Sequence, residues 1–165
     1  MKPMHSKSYK ERKTESSRIS ETPYCNYLRS QYKRENVKRN HLHKDKSLTS
    51  KDIEWYLPDV FIIPEKRGDE IKMGRKIPVK KMNIWYPKVA MYLKERDWAY
   101  YFVEDTKYEW HYYDMIEVLK GYYNNDYGAG WNSGIYYTNP QPWVEIPEAY
   151  RLKTIAKPQK YIWKD

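Results

Sequence analysis

The stretch WAYYFVEDTKYEWHYYDMIEVLKG, Trp98 to Gly121, decides how this chain folds, because two periods compete in it. Tyr108, Trp110 and Tyr112 alternate with Glu109 and His111, the two-residue period of a strand with one buried face. Read this way, residues 98–103 and 108–113 form a hairpin around Glu104, Asp105, Thr106 and Lys107. A helix then follows, capped by Asp114 with Glu117 at its third position and closed by Gly121. The competing period is helical: Thr106 and Glu109 make a capping box, with Tyr108, Tyr112, Met115, Ile116 and Leu119 along one side of a helix to Lys120. The hairpin is the preferred reading.

Outward from this stretch the chain stays aromatic. Residues 98–137 hold 14 of the 28 Phe, Trp and Tyr residues, and only two of the 28 are Phe. Tyr and Trp carry a polar atom that needs a partner when buried, so they suit boundaries between dry and wet surroundings or between proteins. At 165 residues the chain has room for one modest core. The expected fold class is α+β: a small aromatic-rich body, residues 52–149, with a short antiparallel sheet or hairpin and two or three helices. A basic arm (1–51) precedes it and an extended basic tail (150–165) follows.

Charge supports that division. The formal net charge is +9, and residues 1–51 alone carry 14 Lys/Arg against 5 Asp/Glu, so the rest of the chain is neutral. Within the remainder, residues 66–96 are mainly basic, 97–149 mainly acidic and 150–165 basic again. Such opposed blocks can satisfy one another within a fold or match neighbours in an assembly. Cys25, the only cysteine, excludes an internal disulfide. No run approaches the roughly 18 apolar residues of a membrane span, so no transmembrane segment is expected. Residues 1–18 are Ser- and Lys-rich like an organellar presequence, but Glu11 and Glu15 interrupt them.

Along the arm, residues 1–22 lack the apolar content to offset their own ordering entropy. Tyr24, Leu28 and Tyr32 then recur every four residues and predict a basic amphipathic helix over 24–39. Ser50 can cap a short helix over 51–57 that stops at Pro58. Residues 59–63 read as a strand, and the prolines at 58 and 64 suggest a sheet edge. The charged, Gly-bearing segment 65–76 reads as a loop. Residues 77–86 are extended, and Pro87 opens a helix to about Arg96. Residues 121–133 are turn material, with short strands at 135–138 and 143–146.

Chemical motifs are sparse. Gly128, Gly130 and Gly134 lack the spacing and the strand-to-helix setting of a phosphate-cradling loop. His111 with Glu109, Asp114, Asp105 and Glu117 can be drawn as an acid–base or metal cluster, but a hairpin's polar face collects such residues anyway. His41 and His43 sit among Lys and Arg, where a cation is opposed. No nucleophile elbow is present. The expectation is therefore no enzyme, no catalytic residue, no cofactor and no metal.

The residues expected to meet a partner are Tyr24, Tyr27, Arg29, Tyr32, Lys33, Arg34, Lys38 and Arg39 in the arm, with Trp131, Tyr161 and Trp163. In texture, with its basic arm, proline-punctuated aromatic body and Trp-bearing tail, the chain resembles small accessory subunits of large assemblies. Supernumerary subunits of mitochondrial respiratory complexes are of this style, and the likeness implies a non-catalytic structural subunit, intracellular and mitochondrial, held by neighbouring protein subunits. The alternative is an RNA-binding ribosomal or organellar ribosomal component that uses residues 1–51, where Lys and Arg interleave with Tyr; anionic lipid could occupy the same arm.

Overall fold

A computed structural model of the protein describes residues 17–39, 58–78, 98–124, 126 and 143–164. In chain order it has helix α1 (Thr22–Gln31), strands β1 (Val37–Arg39), β2 (Val60–Ile62), β3 (Arg67–Met73), β4 (Lys76–Pro78), β5 (Ala99–Asp105) and β6 (Glu109–Asp114). Helix α2 (Met115–Asn124), β7 (Trp143–Glu145) and β8 (Arg151–Ala156) complete it. The fold is mixed α/β. A six-stranded sheet runs β1-β2-β3-β5-β6-β8, and β4 pairs with β7 in a separate two-stranded sheet. Every pairing is antiparallel except β3 with β5. The sheet is thus neither short nor wholly antiparallel, since β3 and β5 run parallel and no tight hairpin can join such a pair.

The competition within 98–121 resolves toward strands. β5 and β6 pair from Tyr101 opposite Asp114 to Asp105 opposite Trp110. Thr106 and Glu109 do bond to each other, but as a turn: Thr106 N–H and Oγ1 donate to the Glu109 carbonyl at 3.0 and 2.8 Å, and Glu109 N–H returns to Oγ1 at 3.1 Å. Asp114 Oδ1 then accepts from Glu117 N–H at 2.9 Å and caps α2. This helix runs past Gly121 to Asn124, because its buried stripe Met115, Val118, Leu119 and Tyr122 has one more anchor to bury after the glycine.

Four expectations are corrected. The helix expected over 24–39 ends at Gln31, and the chain bends through Arg34–Asn36 into β1. Positions 35 and 36, where the Tyr24/Leu28/Tyr32 stripe would need its next apolar residue, are Glu and Asn. β2 lies inside the sheet rather than at its edge, since Pro58 and Pro64 stand just outside its three paired residues. The supposed loop 65–76 contains β3, bonded on both flanks. The tail forms β8 and pairs with β6, so it belongs to the body. The helices expected at 51–57 and 87–96, the strand at 135–138 and the first 16 residues lie outside the described residues.

Alternation along the strands gives the sheet two covered faces. Toward α1 point Val60, Ile62, Ile71, Val103, Trp110 and Tyr112, packed with Tyr24, Cys25, Leu28 and Val37. Toward α2 point Phe61, Tyr100, Phe102 and Tyr113, packed with the α2 stripe and with Ile77, Val144 and Ile146 of the small sheet. Part of the Tyr and Trp content is spent here: Tyr24, Tyr100, Trp110, Tyr112, Tyr113 and Tyr122 are all buried. Each such ring removes some 150–250 Å² from water, which is the main source of cohesion in a Phe-poor chain.

Buried phenols need partners, and β3 supplies one. Asp69, wholly enclosed, accepts Tyr24 Oη at 2.5 Å and a two-pronged bond from Arg67, Nε to Oδ1 at 3.0 Å and Nη2 to Oδ2 at 2.8 Å. Tyr24 Oη also bonds Tyr112 Oη at 2.7 Å, and the guanidinium lies 5.7 Å from both the Tyr101 and Tyr112 ring centres. Burial raises both phenol pKa values well above the usual range, and the pairing with Asp69 raises that of Arg67, so the network stays in one charge state. Gly68 is demanded by packing: a Cβ there would lie 2.6 Å from the Tyr100 ring and 2.8 Å from Pro58.

Two stability measurements by urea unfolding follow. Gly68→Ala forces ring and proline apart and should cost about 1–3 kcal/mol. Asp69→Ala leaves Tyr24 without its carboxylate and Arg67 with Glu65 alone, 3.0 Å away, and should cost about 3 kcal/mol.

Candidate site on the β2–β3 pair

β3 carries two acidic residues side by side, and alternation sends them to opposite faces. Asp69 is consumed by the Arg67–Tyr24–Tyr112 network. Glu70 points to the other face, where its side chain is 5% exposed and Lys72, two residues on and so on the same face, places Nζ 3.0 Å from Oε1.

A second carboxylate arrives from the adjacent strand. Continuing the antiparallel register outward from Val60 opposite Asp69 sets Asp59 across from Glu70. The chain bends at Asp59, and its side chain replaces the missing strand residue: Ile71 N–H donates to Asp59 Oδ2 at 2.9 Å. Asp59 is thereby fixed beside Glu70, and its pKa is held well above the usual carboxylate range. Burial is the main cause, followed by the charges of Glu70 and Glu21, with Lys72 and the Ile71 amide opposing them. Glu21, at the turn before α1, is itself held by Arg39 Nη2 at 3.1 Å.

Two crowded carboxylates at a half-buried strand end favour a positive charge between them, with an ammonium at the margin. A hard divalent cation such as Mg²⁺ retains several waters and binds through one or two carboxylates plus substrate oxygens. Among the described residues, no three His, Cys, Asp or Glu side chains converge to enclose a metal ion. Asp59 and Glu70 are therefore candidate ligands of a site that a substrate oxygen and water would complete. The sequence reading missed both, although a signal existed: an acid opening a strand, then an acid-x-Lys triplet at two-residue spacing.

The acid–base cluster drawn around His111 is dispersed. His111 Nδ1 shares a 2.7 Å hydrogen bond with Thr154 Oγ1, and Nε2 stands 3.9 Å from Glu109 on the same face. Asp114 caps α2, while Asp105 faces the other side and is 2.5 Å from Lys157 Nζ, with Trp163 Nε1 donating to it at 3.2 Å. The Lys157 pKa is lowered, burial outweighing the pull of Asp105.

The residues expected at a partner surface divide. Tyr24 is wholly enclosed, and Tyr27 stacks on Trp110 at 4.6 Å and meets Tyr161 at 5.7 Å. Tyr32 donates to Glu65, and burial together with that carboxylate raises its pKa to about 12. Arg29 reaches the Val37 carbonyl at 3.5 Å, and Arg39 is tied to Glu21 and Thr22. Trp163 bonds within its own chain. Lys33, Arg34 and Lys38 are exposed. Trp131, His41, His43 and the glycines at 128, 130 and 134 lie outside the described residues. No helix among the described residues is long and apolar enough to cross a membrane. The chain matches no protein-family model, no curated protein and no solved structure.

Proposed function

We propose that this protein is a divalent-metal-dependent hydrolase of nucleic-acid phosphodiesters. The single observation that carries the reading is the strand register that sets Asp59 across from Glu70, with Asp59 Oδ2 accepting from Ile71 N–H at 2.9 Å and Lys72 Nζ 3.0 Å from Glu70. A cation between them would take the place of the proton that burial favours on Asp59. Asp59 and Glu70 would hold the ion, which would supply polarisation of a phosphoryl oxygen and a water of lowered pKa. Water adds to phosphorus as the bond to the leaving sugar oxygen breaks; the water's proton passes to solvent and the leaving oxygen takes one up. Lys72, at the margin of the pair, offsets charge on the phosphoryl oxygens. The net charge of +9, concentrated in residues 1–51, favours a polyanionic substrate.

The non-catalytic accessory subunit remains a second reading, favoured by one feature. β8 is an outer strand whose Leu152 is 59% exposed, and Met73 is 46% exposed. That reading expects the isolated chain to self-associate or precipitate, whereas a monodisperse, cooperatively folding monomer counts against it.

Cleavage of plasmid, single-stranded DNA and RNA by the purified chain, with Mg²⁺ or Mn²⁺, tests the first reading. Activity should vanish with EDTA and fall by about 100-fold or more in Asp59→Asn and in Glu70→Gln. Absence of cleavage of all three substrates under these conditions would sink it. Stability gives a second check. The folded-state pKa of Asp59 lies above its unfolded value of 3.8, so the native state holds a proton that the unfolded chain releases. Without metal, stability should therefore decline as pH rises above about 4, until the folded-state value is passed. Asp59→Asn should unfold at higher temperature than the native chain at pH 8, the gap closing toward pH 4. Mn²⁺ at pH 8 should raise the midpoint of the native chain and not that of Glu70→Gln.

A further inference from the structure

The pairing of β6 with β8 gives His111 a neighbour that its sequence surroundings do not contain, because register sets it opposite Thr154. Lys157 N–H donates to the Tyr108 carbonyl at 2.9 Å, which fixes the phase of the ladder. Lys157, Ile155 and Lys153 turn their main-chain N–H and C=O groups toward β6, and Thr154 turns both away. His111 and Thr154 are therefore a pair with no main-chain bonds between them, the kind whose side chains approach most closely. Their polar atoms meet, Nδ1 to Oγ1 at 2.7 Å, with Thr154 exposed and His111 8% exposed. Glu109, two residues before His111 and so on the same face, holds Oε1 3.9 Å from Nε2.

That carboxylate selects the tautomer. A ring lone pair aimed at a negative charge is repelled and an N–H is attracted, so the proton belongs on Nε2. Nδ1 is then the acceptor, and its hydrogen bond forms only if Thr154 donates the hydroxyl proton. A hydroxyl donating to an imidazole that a carboxylate orients is the arrangement that activates an alcohol as a nucleophile. The Thr154 main-chain N–H adds a second element. Among the described residues β8 is the outer strand, so this N–H, turned from β6, faces no other strand. It stands beside Oγ1, where negative charge gathers on a carbonyl oxygen under attack.

We propose that Thr154, His111 and Glu109 form a separate active centre that hydrolyses acyl esters, with Thr154 as nucleophile, His111 as base and Glu109 as the residue that positions His111. Thr154 Oγ1 adds to the ester carbonyl carbon as its proton passes to His111 Nδ1, and the Thr154 N–H meets the oxyanion. The bond to the leaving oxygen then breaks, that oxygen takes the proton from Nδ1, and the acyl group stays on Oγ1. Water next adds to the acyl carbon and gives a proton to Nδ1, and Oγ1 departs with that proton as the free acid forms. The register shift between Tyr112 and Tyr113 leaves Leu152 unpaired and 59% exposed two positions from Thr154, an apolar support for a short acyl chain. These steps use none of Asp59, Glu70 and Lys72, so the inference does not rest on the proposed phosphodiester hydrolysis.

The test uses the full chain in EDTA, with p-nitrophenyl butyrate as substrate and, separately, a fluorophosphonate probe. The native chain should hydrolyse the ester and take up the probe at Thr154, as mapped by tandem mass spectrometry. Thr154→Val keeps the branched shape and should abolish both reactions, whereas Thr154→Ser should retain them. His111→Gln should lower the rate by about 100-fold or more. Glu109→Gln should lower kcat with KM unchanged, which a role in folding alone would not do. Equal melting temperatures exclude unfolding as the cause. Asp59→Asn should hydrolyse the ester as the native chain does, so a failure of the metal-site reading leaves this result standing. Neither ester hydrolysis nor probe uptake by the native chain, uptake at another residue, or native-like reaction of Thr154→Val overturns the inference.

Discussion

The structure depends on the salt bridge between Arg67 and Asp69, closed over by Tyr24 and Tyr112. Four side chains from α1, β3 and β6 meet there, three of them wholly enclosed, and each polar atom is useful only while the others are in place. Burying an ion pair gains little free energy compared with an apolar core of the same volume, but it penalises every arrangement in which one member is absent. The network therefore fixes where α1 lies on the sheet and which register β3 adopts. A slip of one residue would turn Asp69 to the other face and Glu70 into the phenol cluster.

The same alternation makes β3 a strand with two different charge environments. On the α1 face Arg67 satisfies Asp69 completely. On the other face Glu70 has Lys72 beside it and Asp59 across from it, and the sum of interactions leaves Asp59 reluctant to ionise. One acid is held by a two-pronged guanidinium, and its neighbour in sequence by a single ammonium, with a second carboxylate across from it. Strain of this kind lowers stability and is a common mark of places where charge is to be received.

The aromatic excess has an ordinary role once the two faces are described. A Phe-poor chain that must fill both sides of a six-stranded sheet uses Tyr and Trp as bulk, and their polar tips then require Asp69, Glu104 or Asp105 as acceptors. Among the described residues, several acids of 97–149 meet bases of 66–96 and 150–165 within the fold. Lys157 meets Asp105, and Arg75 and Arg151 both approach Glu104.

The sequence by itself narrowed 98–121 to two readings, strands or helix, of which the alternating one was preferred, and it marked the cap at Asp114, a helix after Pro23 and the short strand after Pro58. It also determined that charge blocks would have to be matched. Only the tertiary structure decided that the glycine-bearing, charge-rich segment 65–76 holds the central strand, because its charges are tolerable there only through partners on α1, β2 and β6. The tail became a strand for the same reason, having an open edge of β6 to join. The candidate site was written in the order of residues, with Asp59 opening one strand and Glu70 and Lys72 on the next. It became readable only when pairing brought two carboxylates eleven positions apart in the chain to one strand end, since proximity across a sheet is a property of register and not of spacing.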